Sequence, residues 1–296
     1  MQHVTECPVC QESNFSYFLS CKDHTVSHET FQLLKCTGCS FVITTPRPDE
    51  KELDKYYLSD AYISHSNKSL SLIDEVYKVS RMFTLKWKYN LIRKYRVLSE
   101  TPQGILDFGC GTGAFLQECE KHKLKTTGVE PSAVARTQAI QNTSAQIVPD
   151  IQDVQDKFDV ITLWHVLEHV GKLNDTVHKL KNQLKQSGTM FIAVPNLQSL
   201  DARKYQAYWA GYDVPRHLWH FSYKTMELLL RRHDLKLTTV VPMRLDAYYV
   251  SMLSEKYKNG KNSVSNIGNA IFRGWESNNA AKTTQEYSSL IYIARK

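Results

Sequence analysis

The sequence predicts an α/β protein: a parallel sheet with helices on both faces, preceded by a small metal-binding module and a helical segment. Three observations carry this. From residue 103 onward, short apolar strands alternate with helical stretches, the pattern of repeated βαβ units. One of those strands runs straight into a glycine-rich turn, "GILDFGCGTGAFL". Two C-x-x-C pairs stand near the start of the chain. The expected divisions are 1–48 for the metal module, 49–102 for a helical linker or lid, and 103–296 for the sheet domain.

The bulk properties allow this. A chain of 296 residues with 42% apolar and 11% aromatic side chains can bury a sizeable core and is not compositionally disordered. No apolar run reaches the roughly 18 residues of a membrane span. The opening "MQHVTECPVCQ" lacks the basic-then-apolar pattern of a signal peptide, so a cytoplasmic address is the default. The formal charge is +7 and uneven: Lys78, Arg81, Lys86, Lys88, Arg93, Lys94 and Arg96 follow one another with no acidic residue among them. They read as a solvated helix face, or as an attraction for an anionic substrate or lipid headgroup. No recognised nucleic-acid module accompanies them.

Five of the seven cysteines lie within the first 39 residues. Cys7-x-x-Cys10 and Cys36-x-x-Cys39 can bring four thiolates around one tetrahedral Zn²⁺. Four protein ligands leave no open position, so the zinc is expected to hold structure. Cys21, His24 and His28, in the loop between the pairs, read as loop residues. "FQLLKC" and "FVITT" read as short strands around the knuckle, and "TPRPDE" ends the module. Helical periodicity then runs to about Leu98, with Tyr56, Tyr57, Tyr62 and His65 in its first part.

From residue 103 the expected elements are a strand "GILDFG", a helix "GAFLQECEKH", a strand "KTTGVE", a helix "SAVARTQAIQN", a short strand "AQIVP" and a strand "FDVITLW" followed by a turn. A helix "LNDTVHKLKNQLK", closed by Ser187-Gly188, precedes the strand "TMFIAVPN". The helix "SYKTMELLLRRHD" follows. Two late strands come last, near "LKLTTVVPM" and "YSSLIYIARK", on either side of a long insert. In the insert, Ile267, Ile271 and Trp275 share one helical face that could line a pocket, touch a membrane surface or meet a second copy.

Ligands of open α/β sheets lie at the carboxyl ends of the strands, and glycine there lets the backbone approach them. Asp107 precedes the turn. Glu130 closes the next strand, where a carboxylate can accept hydrogen bonds from a ribose. These features fit a nicotinamide dinucleotide and S-adenosylmethionine equally well.

Taken together, "ILDFGCGTGAFL", "GVEPS", "FDVITLWHVLEHV" and "SGTMFIAVPN", in this order and spacing, make residues 103–296 resemble the class I S-adenosylmethionine-dependent methyltransferases. The resemblance implies a Rossmann-like seven-stranded sheet whose last strand inserts antiparallel. It implies that Asp107, Phe108, Gly109, Cys110, Gly111 and Gly113 approach the amino-acid part of S-adenosylmethionine. It puts Glu130 on the ribose, Pro131 beside the adenine with Asp150 and Ile151, and Trp164 and His165 beside the sulfonium. Some relatives carry Glu-x-x-Glu-His where this chain has His165-x-x-Glu168-His169, and bind a divalent ion there; a capping role for Glu168 and His169 is the plainer reading.

"YWAGYDVPRHLWHFSYKTM", residues 208–226, lies over the same strand ends. It resembles a segment of methyltransferases from bacterial polysaccharide and secondary-metabolite clusters, and of zinc-domain sugar C-methyltransferases. In the latter the residue before the histidine matching His217 is glutamate; here it is Arg216. That difference, and the lack of a further C-terminal domain, favour O-methylation. His217 and His220 are the candidate bases, Arg216 a candidate grip on an anionic acceptor, and Tyr57, Tyr62 and His65 candidate lid residues. The expected acceptor is a sugar, a lipid-linked glycan or another small metabolite, with sugar C-methylation and RNA modification as alternatives. Nucleic acid is an unlikely partner, no membrane span is expected, and peripheral membrane contact stays open.

Overall fold

The computed structural model describes residues 1–57, 72–97, 104–260 and 263–296. The expected lid residues Tyr62 and His65 lie outside them. Three strands open the chain: β1 (Phe15–Lys22), β2 (Thr30–Cys36) and β3 (Val42–Thr44). A short helix α1 (Glu50–Leu53), a 3₁₀ turn Asp54–Tyr57 and a long helix α2 (Leu72–Tyr95) lead to the α/β region. There follow β4 (Gly104–Phe108), α3 (Ala114–Glu120), β5 (Lys125–Val129), α4 (Ala133–Asn142), β6 (Gln146–Val148), β7 (Phe158–Trp164), α5 (Leu173–Gln183), β8 (Leu184–Pro195) and α6 (Leu200–Tyr205). The chain closes with β9 (Trp219–His220), α7 (Tyr223–Arg232), β10 (Lys236–Pro242), α8 (Asp246–Asn259), α9 (Val264–Thr284) and β11 (Ser289–Arg295).

Seven strands form one sheet in the order β10-β11-β8-β7-β4-β5-β6. β11 runs antiparallel to both β8 and β10, while β4 to β8 pair in parallel. This is the class I arrangement expected. Both faces of the central strands are apolar, as a sheet covered on both sides requires. Alternate residues of β8 show it: Met190, Ile192 and Val194 pack with Val177, Leu180, Leu229 and Leu230. Phe191 and Ala193 pack with Ile92, Phe115 and Cys119. The period of two sends neighbours to opposite faces.

Two local expectations change. The helix expected to run to Lys185 and close at Ser187-Gly188 ends at Gln183, and Leu184–Pro195 is one continuous strand through both residues. Leu184 is fully buried and pairs with Phe158, so core burial and the ladder override the local turn signal. The long insert is the hairpin α8–α9, and it leaves Ile267, Ile271, Phe272 and Trp275 more than 40% exposed.

The second sheet, β1-β2-β3-β9, crosses the chain. Its last strand, Trp219–His220, comes from the segment after β8, and pairs antiparallel with β3. The cysteine-bearing sheet therefore holds residues that the parallel sheet delivers.

Candidate active site

The glycine turn leaves β4 at its carboxyl end. Gly109, Gly111 and Gly113 all have positive φ, at 76°, 54° and 79°, a region that favours glycine. Their surroundings differ. A Cβ on Gly109 would lie 2.5 Å from Val166, and one on Gly113 would lie 2.9 Å from Thr143. A Cβ on Gly111 would meet nothing within 4 Å. The outer two glycines serve close approach within the fold; the middle one faces open space. Below it, Asp107 is buried and accepts a 2.6 Å hydrogen bond from Thr162 Oγ1. Burial pushes its carboxyl up to about 7, against the opposing pull of Thr162 and of Lys88.

Glu130 ends β5 and ties the turn down. Its Oε2 accepts from the Gly111 N–H at 2.8 Å, and its Oε1 accepts from the Ser132 N–H at 2.9 Å. Each carboxylate oxygen retains a further lone pair. Asp150 caps the 3₁₀ turn Ile151–Asp153 by accepting from Gln152 N–H, with Ile151 buried beside it. Pro131 is exposed, Phe108 half-buried, and the Cys110 thiol is buried and raised by that burial. Trp164 stacks edge-on to Phe115 and lies under the Lys88 ammonium, 4.5 Å from its ring centre. Its indole N–H is buried with no acceptor among the described residues.

Next to this end of the sheet the histidines gather. His165 takes a φ of 58°, in the left-handed region, and places Nε2 3.0 Å from Asp246 Oδ2. Burial would lower this imidazole, but Asp246 and Glu168 more than offset it and hold it near 9. His169 Nδ1 sits 3.1 Å from Arg216 O and 3.2 Å from Tyr57 Oη. Burial, aided by His217, lowers His169 to about 4, so it is neutral. His217 Nδ1 donates to Gly211 O at 2.9 Å, and its ring meets that of His169 edge-on at 4.5 Å. Tyr57, His169 and His217 are thus brought together from three distant parts of the chain.

Two expected roles are corrected. Arg216 was expected to grip an anionic acceptor. It is 2% exposed, donates to Asp213 through Nε and to Asp23 and Asp213 through Nη2, and reaches Tyr56 O through Nη1. Its planar fork is taken up inside the fold. His220 was a candidate base. It is 4% exposed, its Nε2 donates to Thr44 Oγ1 at 2.9 Å, and burial lowers it to about 3. It pins β9 to β3.

Comparison with known proteins settles which of the two glycine-turn families applies. The methyltransferase-domain family model matches residues 84–240, more than half of the chain. The chain belongs to that family. It is 30% identical over 144 residues to malonyl-[acyl-carrier protein] O-methyltransferase of Halalkalibacterium halodurans, covering 44% of this chain and 52% of that protein. It is 25% identical over 190 residues to ubiquinone biosynthesis O-methyltransferase of Pelagibacter ubique, covering 58% of this chain and 77% of that one. The chain thus spans about half the length of the first of these relatives. Among solved structures, the cyclopropane synthase MmaA2 of Mycobacterium tuberculosis shares the fold, with a TM-score of 0.54 at 12% identity over 85% of this chain and all of that one. So does magnesium protoporphyrin IX methyltransferase of Synechocystis with bound SAH, with a TM-score of 0.54 at 11% identity over 84% of this chain and all of that one. Among the described residues no helix is long and apolar enough to cross a membrane.

This methyltransferase-family chain also carries the four-cysteine centre. Cys7, Cys10, Cys36 and Cys39 bring their sulfurs within 4.8 Å of one another, with Cys7–Cys39 and Cys10–Cys36 each at 3.5 Å. Four sulfurs on a tetrahedral zinc, with bonds of about 2.3 Å, stand about 3.8 Å apart, so the donor set fits. Burial raises Cys7 to about 11 and raises Cys39 further, which is the cost a bound cation removes. Cys21 is buried against Phe31 and Leu33, and His24 stacks on Tyr257, so both lie outside this set. Sequence reasoning missed Thr162, Asp213, Asp23 and Asp246. Thr162 stands in "FDVITLW" and Asp213 in "YWAGYDVPRHLWHFSYKTM", blocks that drew attention for other residues; Asp23 and Asp246 have no local signal.

Proposed function

We propose that the chain transfers a methyl group from S-adenosylmethionine to an oxygen of a small acceptor, most simply a sugar, a lipid-linked glycan or another metabolite. The observation that carries this is Gly111: bare backbone in a left-handed conformation, open space where a side chain would be, and an amide fixed by Glu130. Such a floor suits a ligand pressed close to the chain, with the free lone pairs of Glu130 for ribose hydroxyls. Asp107 supplies charge or a hydrogen bond from below. Bound there, S-adenosylmethionine supplies the electrophilic methyl.

The protein's own contribution is alignment. Tyr57, His169 and His217 form the polar wall where an acceptor hydroxyl would be oriented and lose its proton, and both histidine rings are already fixed by backbone carbonyls. The O-methyltransferase relatives support an oxygen acceptor. Membership of a polysaccharide or secondary-metabolite cluster rests on the 208–226 resemblance. The three expected segments, 1–48, 49–102 and 103–296, are proposed as functional units, with zinc held structurally in the first.

Calorimetry with S-adenosylhomocysteine tests the cofactor reading. Binding in the micromolar range, weakened at least tenfold in Glu130→Ala, is expected. No heat at tens of micromolar protein would remove the proposal. A product-mass screen with candidate glycans and phenolic acceptors tests the second half.

A further inference from the structure

We propose that the outer face of the α8–α9 hairpin docks on the surface of an anionic lipid bilayer. The hairpin is built inside out. The residues it buries are small: Ala247, Ser251 and Ser254 of α8, with Ala270, Ser277 and Ala281 of α9. Its large apolar residues face outward. Ile267, Ile271 and Trp275 recur every four residues, each more than 40% exposed, and so form one row along α9. The Phe272 ring, equally exposed, pairs with that of Trp275 at 6.1 Å. Leu245, Tyr249 and Met252 make a second exposed row at the start of α8 and along it. Asn278 Nδ2 donates to Arg244 O at 2.8 Å, which sets the start of this row beside the end of the first. An apolar face of this extent on a surface marks a protein or membrane partner.

The charges around the rows choose between them. The hairpin carries three acids, and each is spent within the fold. Asp246 holds His165. Glu255 is buried and accepts from Tyr205 Oη and Asn259 Nδ2. Glu276 meets Arg273 at 2.7 Å and Lys204 at 3.4 Å. Lys256 and Lys258, in the last turn of α8, form no ion pair among the described residues. Where α6 meets the hairpin, a cavity of about 210 Å³ is lined by Lys204, Lys258 and Arg273 against the single acid Glu255.

A negatively charged partner is attracted by such a rim. A second copy docked on this face about a two-fold axis would set the same cations against themselves. An anionic bilayer meets both needs, with acyl chains for the apolar rows and headgroups for the lysines and Arg273. Trp275 and Tyr249 suit the boundary between the two. No helix among the described residues is long and apolar enough to cross a membrane, so the hairpin would lie in the plane of the surface. Its α8 starts at Asp246, the partner of His165 in the candidate site, which on the methyl-transfer reading fits a lipid-linked acceptor. The docking itself does not rest on that reading.

Sedimentation with vesicles tests it. The full chain should bind vesicles of equimolar phosphatidylglycerol and phosphatidylcholine at least tenfold more tightly than phosphatidylcholine alone, and less tightly as salt is raised. Ile271→Ser combined with Phe272→Ser should lower that binding at least tenfold with unchanged far-ultraviolet circular dichroism. Lys256→Gln combined with Lys258→Gln should lower it severalfold and flatten its salt dependence. Trp275→Phe stays apolar and aromatic. It should retain binding yet lose most of the blue shift that the vesicles induce in tryptophan emission, and it keeps the test decisive if the serine variant fails to fold. Equal binding to both kinds of vesicle, full binding by the folded serine variant, or a blue shift that survives Trp275→Phe would each overturn the proposal. So would a dimer of the wild type that the serine variant abolishes, since the face would then belong to a second copy. No methyl acceptor or cofactor enters these measurements, so failure here is distinct from failure of the activity assignment.

Discussion

The glycine turn and the 213–220 segment lie at the same end of the sheet but are built in opposite ways. The turn is local: Asp107, Gly109, Gly111 and Gly113 fall within seven consecutive residues, and Glu130 closes the adjacent strand. The 213–220 segment is assembled from afar. Arg216 is bound by Asp23, Thr44 Oγ1 donates to His217 O, and Trp219 and His220 pair with β3. Stacked against this segment, Arg47 covers the Trp219 ring at 4.4 Å and Phe41 packs beside it. One half of the site is coded by a motif, while the other depends on the cysteine-bearing module folding around it.

The largest expected effect breaks that dependence. Removing zinc with a strong chelator, or replacing Cys36 by serine, should unfold the β1-β2-β3-β9 sheet, because metal ligation in such small modules supplies folding free energy outright. Heteronuclear NMR should then show residues 213–220 losing their dispersed signals. Binding of S-adenosylhomocysteine should persist. Loss of both together would mean that the halves are one cooperative unit.

Cutting the buried ion pair is next. Asp23→Ala leaves Arg216 still held by Asp213 and should cost about 1–3 kcal/mol, the usual range for losing a buried charge-assisted hydrogen bond, read from urea unfolding midpoints. The pH sign follows from the same pair. Burial opposes ionisation of Asp23 and Asp213, but Arg216, helped by the Ser27 and Thr25 N–H groups at Asp23 and by His217 at Asp213, more than offsets this and holds both below the usual carboxylate range. Groups depressed in the fold contribute stability above their unfolded pKa, roughly pH 4. That contribution should therefore be intact at neutral pH and shed as pH falls below about 4. A wild-type stability curve no steeper there than that of Asp23→Ala would contradict the pairing.

The glycines sharpen the comparison on the other side. Gly109→Ala meets Val166 as well as a left-handed φ, and should cost about 2–3 kcal/mol of stability. Gly111→Ala meets only the φ and should cost about 1 kcal/mol, yet reduce S-adenosylhomocysteine affinity at least tenfold. Equal losses of stability and unchanged binding would deny Gly111 its special place. The smallest effect separates the two histidines: His220→Asn, which can still reach Thr44, should change turnover per folded molecule less than twofold, whereas His217→Asn should lower it more than tenfold.

Legibility followed the same divide. The alternation of strands and helices and the four cysteines could be read in order, since each rests on spacing along the chain, while the antiparallel final strand was implied by the family resemblance. Leu184–Pro195 was misread because a Ser-Gly pair looks like a stop, and only the ladder beside β7 shows that it is not. Arg216 was expected to grip an acceptor and His220 to act as a base because arginine and histidine in a loop after a strand usually face solvent. Asp23 and Thr44, more than 170 residues away, turn them inward.

By itself the sequence determined the alternation of strands and helices and the bare backbone of the glycine turn, because these follow from hydrophobic period and from the absence of a Cβ; the arrangement of the strands in the sheet came from the family resemblance. Only the tertiary structure decided which polar side chains are free to act. A charged group is free or spent according to the partner it meets, and here those partners arrive from the other end of the chain.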